Sequence, residues 1–517
     1  MNRRKSRAPA AHVDLSSFER AGLRVTLFLS GASIMVLEIL GTRIIGPHFG
    51  VGLFVWTSLI TVAMVALALG YWLGGRFADR HPSLSWLAAL LLLAALLVAV
   101  IPLIRGPVLE AAWSLGLRTG SMVCAAALLF VPLFLLGMVT PFAVRLEASH
   151  VTAAGSSAGR LYAISTTGSV TGTILAGFIL VPGFRVPTVL AMVAGALVFG
   201  ALLCSLSSGL RRWLGAAALI MSLAAFLAWP RERPASLIAA GTCDGTDVRV
   251  VSHKNNRFLL VDQAVQTSVN AEGRALEKYT YFLASRLLLA RPEAREMALI
   301  GLGGGGIVPL LAGEGVNVEC VDLSPRIIDY ARRHFGFNVP GDKVHLMDGR
   351  VFLKQRPGKF DAVILDVFTG DRLAYSLCSV EGLRTAKQAL APGGMLAMNT
   401  WGLDEDKGMP SPVGGAIRAT LEEVFEHVLA VPASGNLLFF ASDDPIAPQR
   451  KVVMLQTFDI PRSFTWLKVP EVDWPKGMVL TDDWNPVDTL DARRLEQLRV
   501  ARHDSFPADV RAALAWE

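Results

Sequence analysis

A chain of 517 residues with 52% hydrophobic and only 18% charged residues, and a mean hydropathy of +0.46, is too apolar to be a single water-soluble globule. Its net charge of +6 does not make a nucleic-acid surface, because arginines sit at the ends of apolar runs and no basic patch is interleaved with aromatics. The five cysteines, Cys124, Cys204, Cys243, Cys320 and Cys378, are odd in number and lack metal or disulfide spacing, so neither framework is expected.

The apolar excess is concentrated before Pro230. A basic start, Met1 to Arg7, precedes the first apolar run without a cleavage-type site, which reads as a retained anchor. Runs long enough to cross a hydrocarbon core of ~30 Å begin near Ala21, Val51, Leu84, Ser121, Ala163, Thr188 and Trp213, about seven candidate spans with the last the shortest. Arginine and lysine cluster at Arg3–Arg7, Arg20 and Arg24, Arg76 and Arg80, Arg145 and Arg160, and Arg211 and Arg212. The alternate loops hold fewer, so the amino terminus is expected in the cytoplasm, with the protein a multi-pass component of the cell (inner) membrane. Seven crossings would leave the following domain outside and six would leave it inside; the missing disulfide pattern favours the cytoplasm. Glu38, an acid within the first span, is a membrane-functional candidate, with a buried partner such as Thr42 or a cation on a neighbouring helix as the plain alternative. Gly74 to Arg80 has the pattern of a tight, charged inter-helix turn.

Pro230 to Pro234 forms a stiff linker. Val248 to Val251 and Arg257 to Val261 alternate as short strands around a turn at His253 to Asn256, and a helix carrying Tyr279 and Tyr281 is expected from Leu276 to Ala290. Strands and helices then alternate. The apolar run Met297 to Ile300 ends in Gly301, Gly303, Gly304, Gly305 and Gly306, and a second buried strand, Val316 to Val321, closes on Asp322. Glycines admit a ligand close to the backbone, and an acid about 20 residues on can take two ribose hydroxyls. Pro325 to Phe335 is predicted as a helix capped by Ser324. Val344 to Met347 is a strand ending at Asp348-Gly349, and Phe360 to Leu365 a strand ending at Asp366. A helix from Val380 to Leu390 stops at Pro392-Gly393-Gly394 before a strand at Met395 to Asn399. Asp322, Asp348 and Asp366 thus close three successive strands on the edge where open α/β sheets bind ligands. Asp322 would hold ribose, Asp348-Gly349 would read the adenine edge, and Asp366 would face the reacting end. There it could accept the proton of an amine attacking carbon beside a sulfonium. A methyltransferase would use the first two acids in the same way.

With these residues in view, the chain resembles the polyamine aminopropyltransferase (spermidine synthase-like) family, in the branch fused to a transporter-like membrane domain. The resemblance covers roughly Val248 to Ala441 and includes the late stretch Leu480 to Pro486. It implies transfer of an aminopropyl group from decarboxylated S-adenosylmethionine to a diamine such as putrescine, with no metal, no permanently bound cofactor and a homodimer as the common assembly. By its motifs Asp322 matches the ribose acid, Asp348-Gly349 the adenine turn, Asp366 the catalytic acid, and Gln266 and Tyr279 the amine-substrate positions. Three positions depart: Gly304 stands where the family has an Asp, Thr280 where it has a His, and Thr369 where it has the second acid, with Asp371 two residues further on as a substitute. The nucleoside half is kept and the amine half thinned.

The expected architecture is a multi-span α-helical membrane domain followed by a Rossmann-like α/β domain of the class I S-adenosylmethionine type with a small preceding β-strand layer. The segments are a basic tail (1–20), membrane helices (21–230), linker and β layer (231–292), Rossmann-like domain (293–445) and carboxy-terminal tail (446–517). The implied partners are a small polyamine and a lipid bilayer, with no nucleic acid. Two other functions fit the same residues: a methyltransferase of a small amine using S-adenosylmethionine, and a non-enzymatic polyamine transporter or sensor. Asp482 and Asp483, in the tail, could supply charge at the pocket mouth or form a solvated turn.

Overall fold

A computed structural model describes residues 15–50, 52–147, 154–205, 211–229, 233–243, 246–369, 372–401, 403–404, 409–433, 435–447, 451–453, 466–468, 474, 476–490 and 505–515. The chain divides into two compact units, Met1–Glu232 with Ala515–Glu517, and Arg233–Leu514.

The first unit is helical. Among the described residues six helices are long and apolar enough to cross a membrane: α1 (Ser17–Phe49), α2 (Leu53–Arg80), α3 (Leu84–Trp113), α4 (Gly116–Glu147), α5 (Gly155–Gly183) and α6 (Val186–Ser205). The seventh expected span is the shorter α7 (Arg211–Ala228). Ser16 starts α1 with a capping box, its hydroxyl accepting from the Glu19 amide at 3.2 Å. Small residues bring α1 and α5 into backbone contact: a side chain at Gly168 would strike the Phe28 carbonyl, and one at Gly172 the Ala32 carbonyl. Ser169 donates to the Gly31 carbonyl at 3.2 Å in the same seam. Close small-residue packing of this kind is how helices adhere where lipid removes the hydrophobic drive. Glu147, almost fully buried, pairs with Arg24 of α1 at 2.6 Å and Arg160 of α5 at 3.2 Å.

Two sequence expectations change here. Gly74 to Arg80 is not a turn but the last two turns of α2, which ends at His81. Gly74 is packed so closely on Met138 of α4 that a side chain would overlap its backbone, and Asp79 pairs with Arg145 at 3.3 Å. Glu38 lies half-buried on α1, while Thr42, offered as its partner, donates to the Ile39 carbonyl at 2.8 Å instead.

The second unit opens with a four-stranded antiparallel layer, β1 (Leu237–Cys243), β2 (Thr246–His253), β3 (Asn256–Val261) and β4 (Ala264–Val269). Two of its hairpins turn tightly at Lys254-Asn255 (φ 47° and 67°) and Asp262-Gln263 (φ 47° and 65°). Positive φ at both central positions matches the turn to the strand twist. The helix α14 (Ala508–Ala515) returns to this layer: Arg249 donates to the Ala513 and Leu514 carbonyls at 2.6 and 2.9 Å, and Ser236 to the Asp509 carbonyl at 2.8 Å.

Next come α8 (Lys278–Ala290), β5 (Glu296–Ile300), α9 (Val308–Gly313), β6 (Asn317–Asp322), α10 (Pro325–His334), β7 (Val344–Leu346), α11 (Gly349–Lys354) and β8 (Phe360–Leu365). They are followed by α12 (Val380–Ala389), β9 (Leu390–Trp401), α13 (Pro412–Glu422), β10 (His427–Ala433) and β11 (Asn436–Ser442). The sheet order is β10-β11-β9-β8-β5-β6-β7. The five strands β9 to β7 along that order run parallel, and β11 is antiparallel to both its neighbours. This is the expected Rossmann-like sheet with a closing hairpin. Alternate residues enter opposite cores: Met297, Leu299, Ala362 and Ile364 one, Ala298, Ile300, Val363 and Leu365 the other. Ser324 caps α10 as predicted, accepting from the Ile327 amide at 3.3 Å. The strand expected at Met395 to Asn399 is longer, because pairing with β8 begins at Leu390 and resumes, after a register shift through Pro392-Gly393-Gly394, at Met395. The charged helix expected near Leu490 to Arg502 falls largely outside the described residues.

Order is reversed at β5: the chain moves outward through β6 and β7, then returns to place β8 on its other side. Gly301, leaving β5 with φ 89°, passes so near the Asp366 carbonyl that any side chain there would overlap it. We expect Gly301→Ala to cost about 2 kcal/mol or more and to lower the thermal midpoint of the detergent-solubilised protein. An unchanged midpoint would mean the two strand ends are not held this tightly.

Candidate active site

Register brings the three acids together. Ile300 pairs with Val321 on one side and Leu365 on the other, so Gly301, Asp322 and Asp366 leave the sheet at one level. Asp322 pairs with Leu346, which puts Asp348 just beyond the same edge. All four line one cavity of about 790 Å³, together with Gln266, Thr267, Glu277, Tyr279, Gly303, Gly349, Asn399 and Trp401.

Asp322 accepts from the Leu302 amide at 2.9 Å and the Ser324 amide at 2.8 Å. Burial pushes its carboxyl upward, and those amides oppose the shift. Asp348 caps α11, accepting from the Val351 amide at 2.9 Å. It therefore does what a plain cap does and also lines the cavity. At Gly349 a side chain would strike Ile300, so the turn beside Asp348 stays bare.

Asp366 is bracketed. Tyr279 donates its hydroxyl to Oδ2 at 3.0 Å, and Asn399 donates its amide to Oδ1 at 2.8 Å. Asn399 is oriented in turn by Asn436, whose amide donates to its Oδ1 at 2.8 Å. Burial raises the Asp366 carboxyl, with the Asn399 and Tyr279 bonds acting against it. Burial and the neighbouring acids hold the Tyr279 phenol well above its usual range, so it remains a donor.

The remaining sequence candidates are placed as follows. Gln266, on β4, lines the cavity, as does Gly303, whose φ is 52°. Gly304 does not: its amide donates to the Thr267 hydroxyl at 2.8 Å, and a side chain there would meet Thr267 rather than open space. Thr280 is buried and lines the cavity. Thr369 lies in the short strand Phe368–Thr369, and Asp371 lies outside the described residues. Asp482 binds Arg350 at 2.8 Å and Ser379 at 2.5 Å, and is not among the cavity-lining residues.

Three polar groups escaped the sequence reading: Glu277, Asn399 and Asn436. Asn399 ends the expected strand one β-register from Asp366, which was a usable signal. Glu277 had none beyond preceding Tyr279. Its Oε1 accepts from the Ser268 amide at 2.5 Å and the Ser268 hydroxyl at 2.6 Å.

The arrangement suits a ligand with a neutral nucleoside end and a cationic end. Glycines and backbone amides flank Asp322, and Glu277 lines the same cavity as Asp366. Among the lining residues Glu277, Asp322, Asp348 and Asp366 face one cationic side chain, Lys278.

Curated proteins share this chain's sequence over part of its length. A polyamine aminopropyltransferase of Vibrio vulnificus is 26% identical over 268 residues, 47% of this chain and 88% of the relative. A spermidine synthase of Schizosaccharomyces pombe is 27% identical over 246 residues, 43% of this chain and 80% of the relative. A polyamine aminopropyltransferase of Nitrosomonas europaea is 31% identical over 172 residues, 30% of this chain and 51% of the relative. Among solved structures, spermidine synthase from Thermotoga maritima aligns over 55% of this chain and 88% of its own, at 17% identity and a TM-score of 0.33. No family model matches the chain.

Burial pushes the Glu277 carboxyl from 4.5 up to about 7, the Ser268 bonds opposing and the Asp366 charge adding. The folded state therefore keeps a proton that the unfolded chain has released, so this group's contribution to stability falls as pH rises from 4.5 to about 7 and stays low above. Glu277→Gln, which keeps an acceptor for Ser268, should match the parent in thermal midpoint near about pH 5 and exceed it near about pH 8. A constant difference across that range would contradict the shift.

Proposed function

We propose, from the premise that this chain is related to the polyamine aminopropyltransferases, that it moves an aminopropyl group from decarboxylated S-adenosylmethionine to a diamine such as putrescine while anchored in a membrane. The observation that carries this reading is Asp366: a half-buried carboxylate, held at both oxygens, at the strand end beside the Gly-rich turn. Asp322 would take the ribose hydroxyls once its ligand is in place, and the Asp348-Gly349 turn the adenine edge.

The reaction is a displacement. The acceptor nitrogen attacks the propyl carbon attached to the sulfonium, the carbon–sulfur bond breaks, and methylthioadenosine leaves neutral. The nitrogen sheds one proton, which Asp366 accepts. Burial raises the basicity of Asp366, and a carboxylate there also favours the positive charge gathered around nitrogen and sulfur. Tyr279 and Asn399 fix its oxygens, so no side-chain reorganisation is required when the proton arrives.

Incubating the purified protein with decarboxylated S-adenosylmethionine and a panel of diamines should yield methylthioadenosine. Asp366→Asn should lower that turnover by roughly 10²–10⁴-fold while methylthioadenosine still binds. Folded wild-type protein giving no thioether nucleoside with any diamine would remove the proposal, and turnover of intact S-adenosylmethionine alone would make the chain a methyltransferase.

The membrane reading rests on α1 to α6. Six crossings from a cytoplasmic start return the chain to the cytoplasm, where adenosyl donors are made, with the shorter α7 not crossing. A linker-borne tag after Glu517 should accordingly resist protease in intact cells and be cut after permeabilisation. Cleavage in intact cells would place the second unit outside.

A further inference from the structure

The Gly-rich turn offers no carboxylate toward the cavity. At Gly304 the space a side chain would need is taken by Thr267, whose hydroxyl receives the Gly304 amide. The next residue of β4, Ser268, holds Glu277 through both its amide and its hydroxyl. Gly304, Thr267, Ser268 and Glu277 therefore form one contiguous chain of contacts running from the turn to an acid that lines the same cavity as Asp366. Glu277 occupies the cap position of α8, yet its side chain makes no capping bond to that helix. A carboxylate at a helix start ordinarily serves the free amides there. This one is anchored on Ser268 instead and shares a cavity with a second half-buried acid, Asp366, an arrangement that a cation would relieve.

We propose that Glu277 is the carboxylate that holds a primary alkylammonium in this cavity, taking the place that the bare turn at Gly304 leaves without charge. The inference rests on the aminopropyl-transfer reading and deepens it. Asp366 would serve the reacting nitrogen, and Glu277 the ammonium at the far end of a short alkyl chain. That ammonium belongs either to the aminopropyl group of the donor or to the distal end of the acceptor. A donor still carrying its α-carboxylate would bring a negative charge toward Glu277 and Asp366 together, so the pair also selects the decarboxylated donor.

Titration calorimetry on the full-length protein in detergent, wild type against Glu277→Gln, tests this with three probes. Methylthioadenosine, which has no ammonium, should bind both proteins alike. If the ammonium is the donor's, decarboxylated S-adenosylmethionine should bind the variant at least tenfold more weakly, and its preference over intact S-adenosylmethionine should shrink. If it is the acceptor's, putrescine added to the methylthioadenosine complex should weaken by a similar factor instead. Equal binding of both ammonium ligands by the two proteins overturns the inference while leaving aminopropyl transfer standing. Parallel loss of methylthioadenosine would make Glu277 structural and overturn it as well. Wild-type protein that binds neither nucleoside overturns the transferase reading, and this inference with it.

Discussion

The second unit depends on one backbone contact, where β5 and β8 leave the sheet side by side. Asp366 donates its amide to the Ile300 carbonyl at 2.9 Å, and Gly301 donates to the Val321 carbonyl at 2.9 Å. Three strands are thereby fixed at a common level, and the chain must turn away from all of them in a space that admits no side chain at Gly301. A crevice at such a reversal is a geometric product of parallel pairing. What fills it chemically is decided by which residue comes one step after each strand. Here those residues are glycine and two aspartates, and the polar edge of the cavity follows from register alone.

The cavity is asymmetric in how its acids are employed. Asp322 and Asp348 are satisfied by backbone amides of the turns at the strand ends, Asp322 by its own turn and by the Gly-rich turn after β5, which makes them rigid acceptors for neutral hydroxyls or amines. Asp366 and Glu277 are satisfied by side chains and backbone brought from elsewhere: Asn399 from β9, Tyr279 from α8, Ser268 from β4. One end of the cavity is thus built from local turns and the other from tertiary packing.

Legibility in the sequence followed the same division. The parallel strands announced themselves as short apolar runs because both faces are buried, and the acids stood out because each closes such a run. Glu277 and Asn436 gave no signal, since their roles arise from partners brought close by folding and not by periodicity. The glycines and charges of Gly74 to Arg80 suggested a turn, yet close packing on Met138 keeps them helical, tertiary contact overriding local preference. The helix Val380–Ala389 does end ahead of Pro392-Gly393-Gly394, but the following strand starts before that segment and absorbs it as an irregularity in pairing with β8.

The clasp between α14 and the antiparallel layer has a consequence for how the second unit is assembled. Ser236 and the Asp509 carbonyl that it reaches are 273 residues apart in the chain, and the Rossmann-like sheet lies between them. Closing so long a loop is entropically costly and yields nothing until nearly all of the unit exists. The β layer must therefore emerge from synthesis with Arg249 still waiting for its carbonyls, and it is completed last.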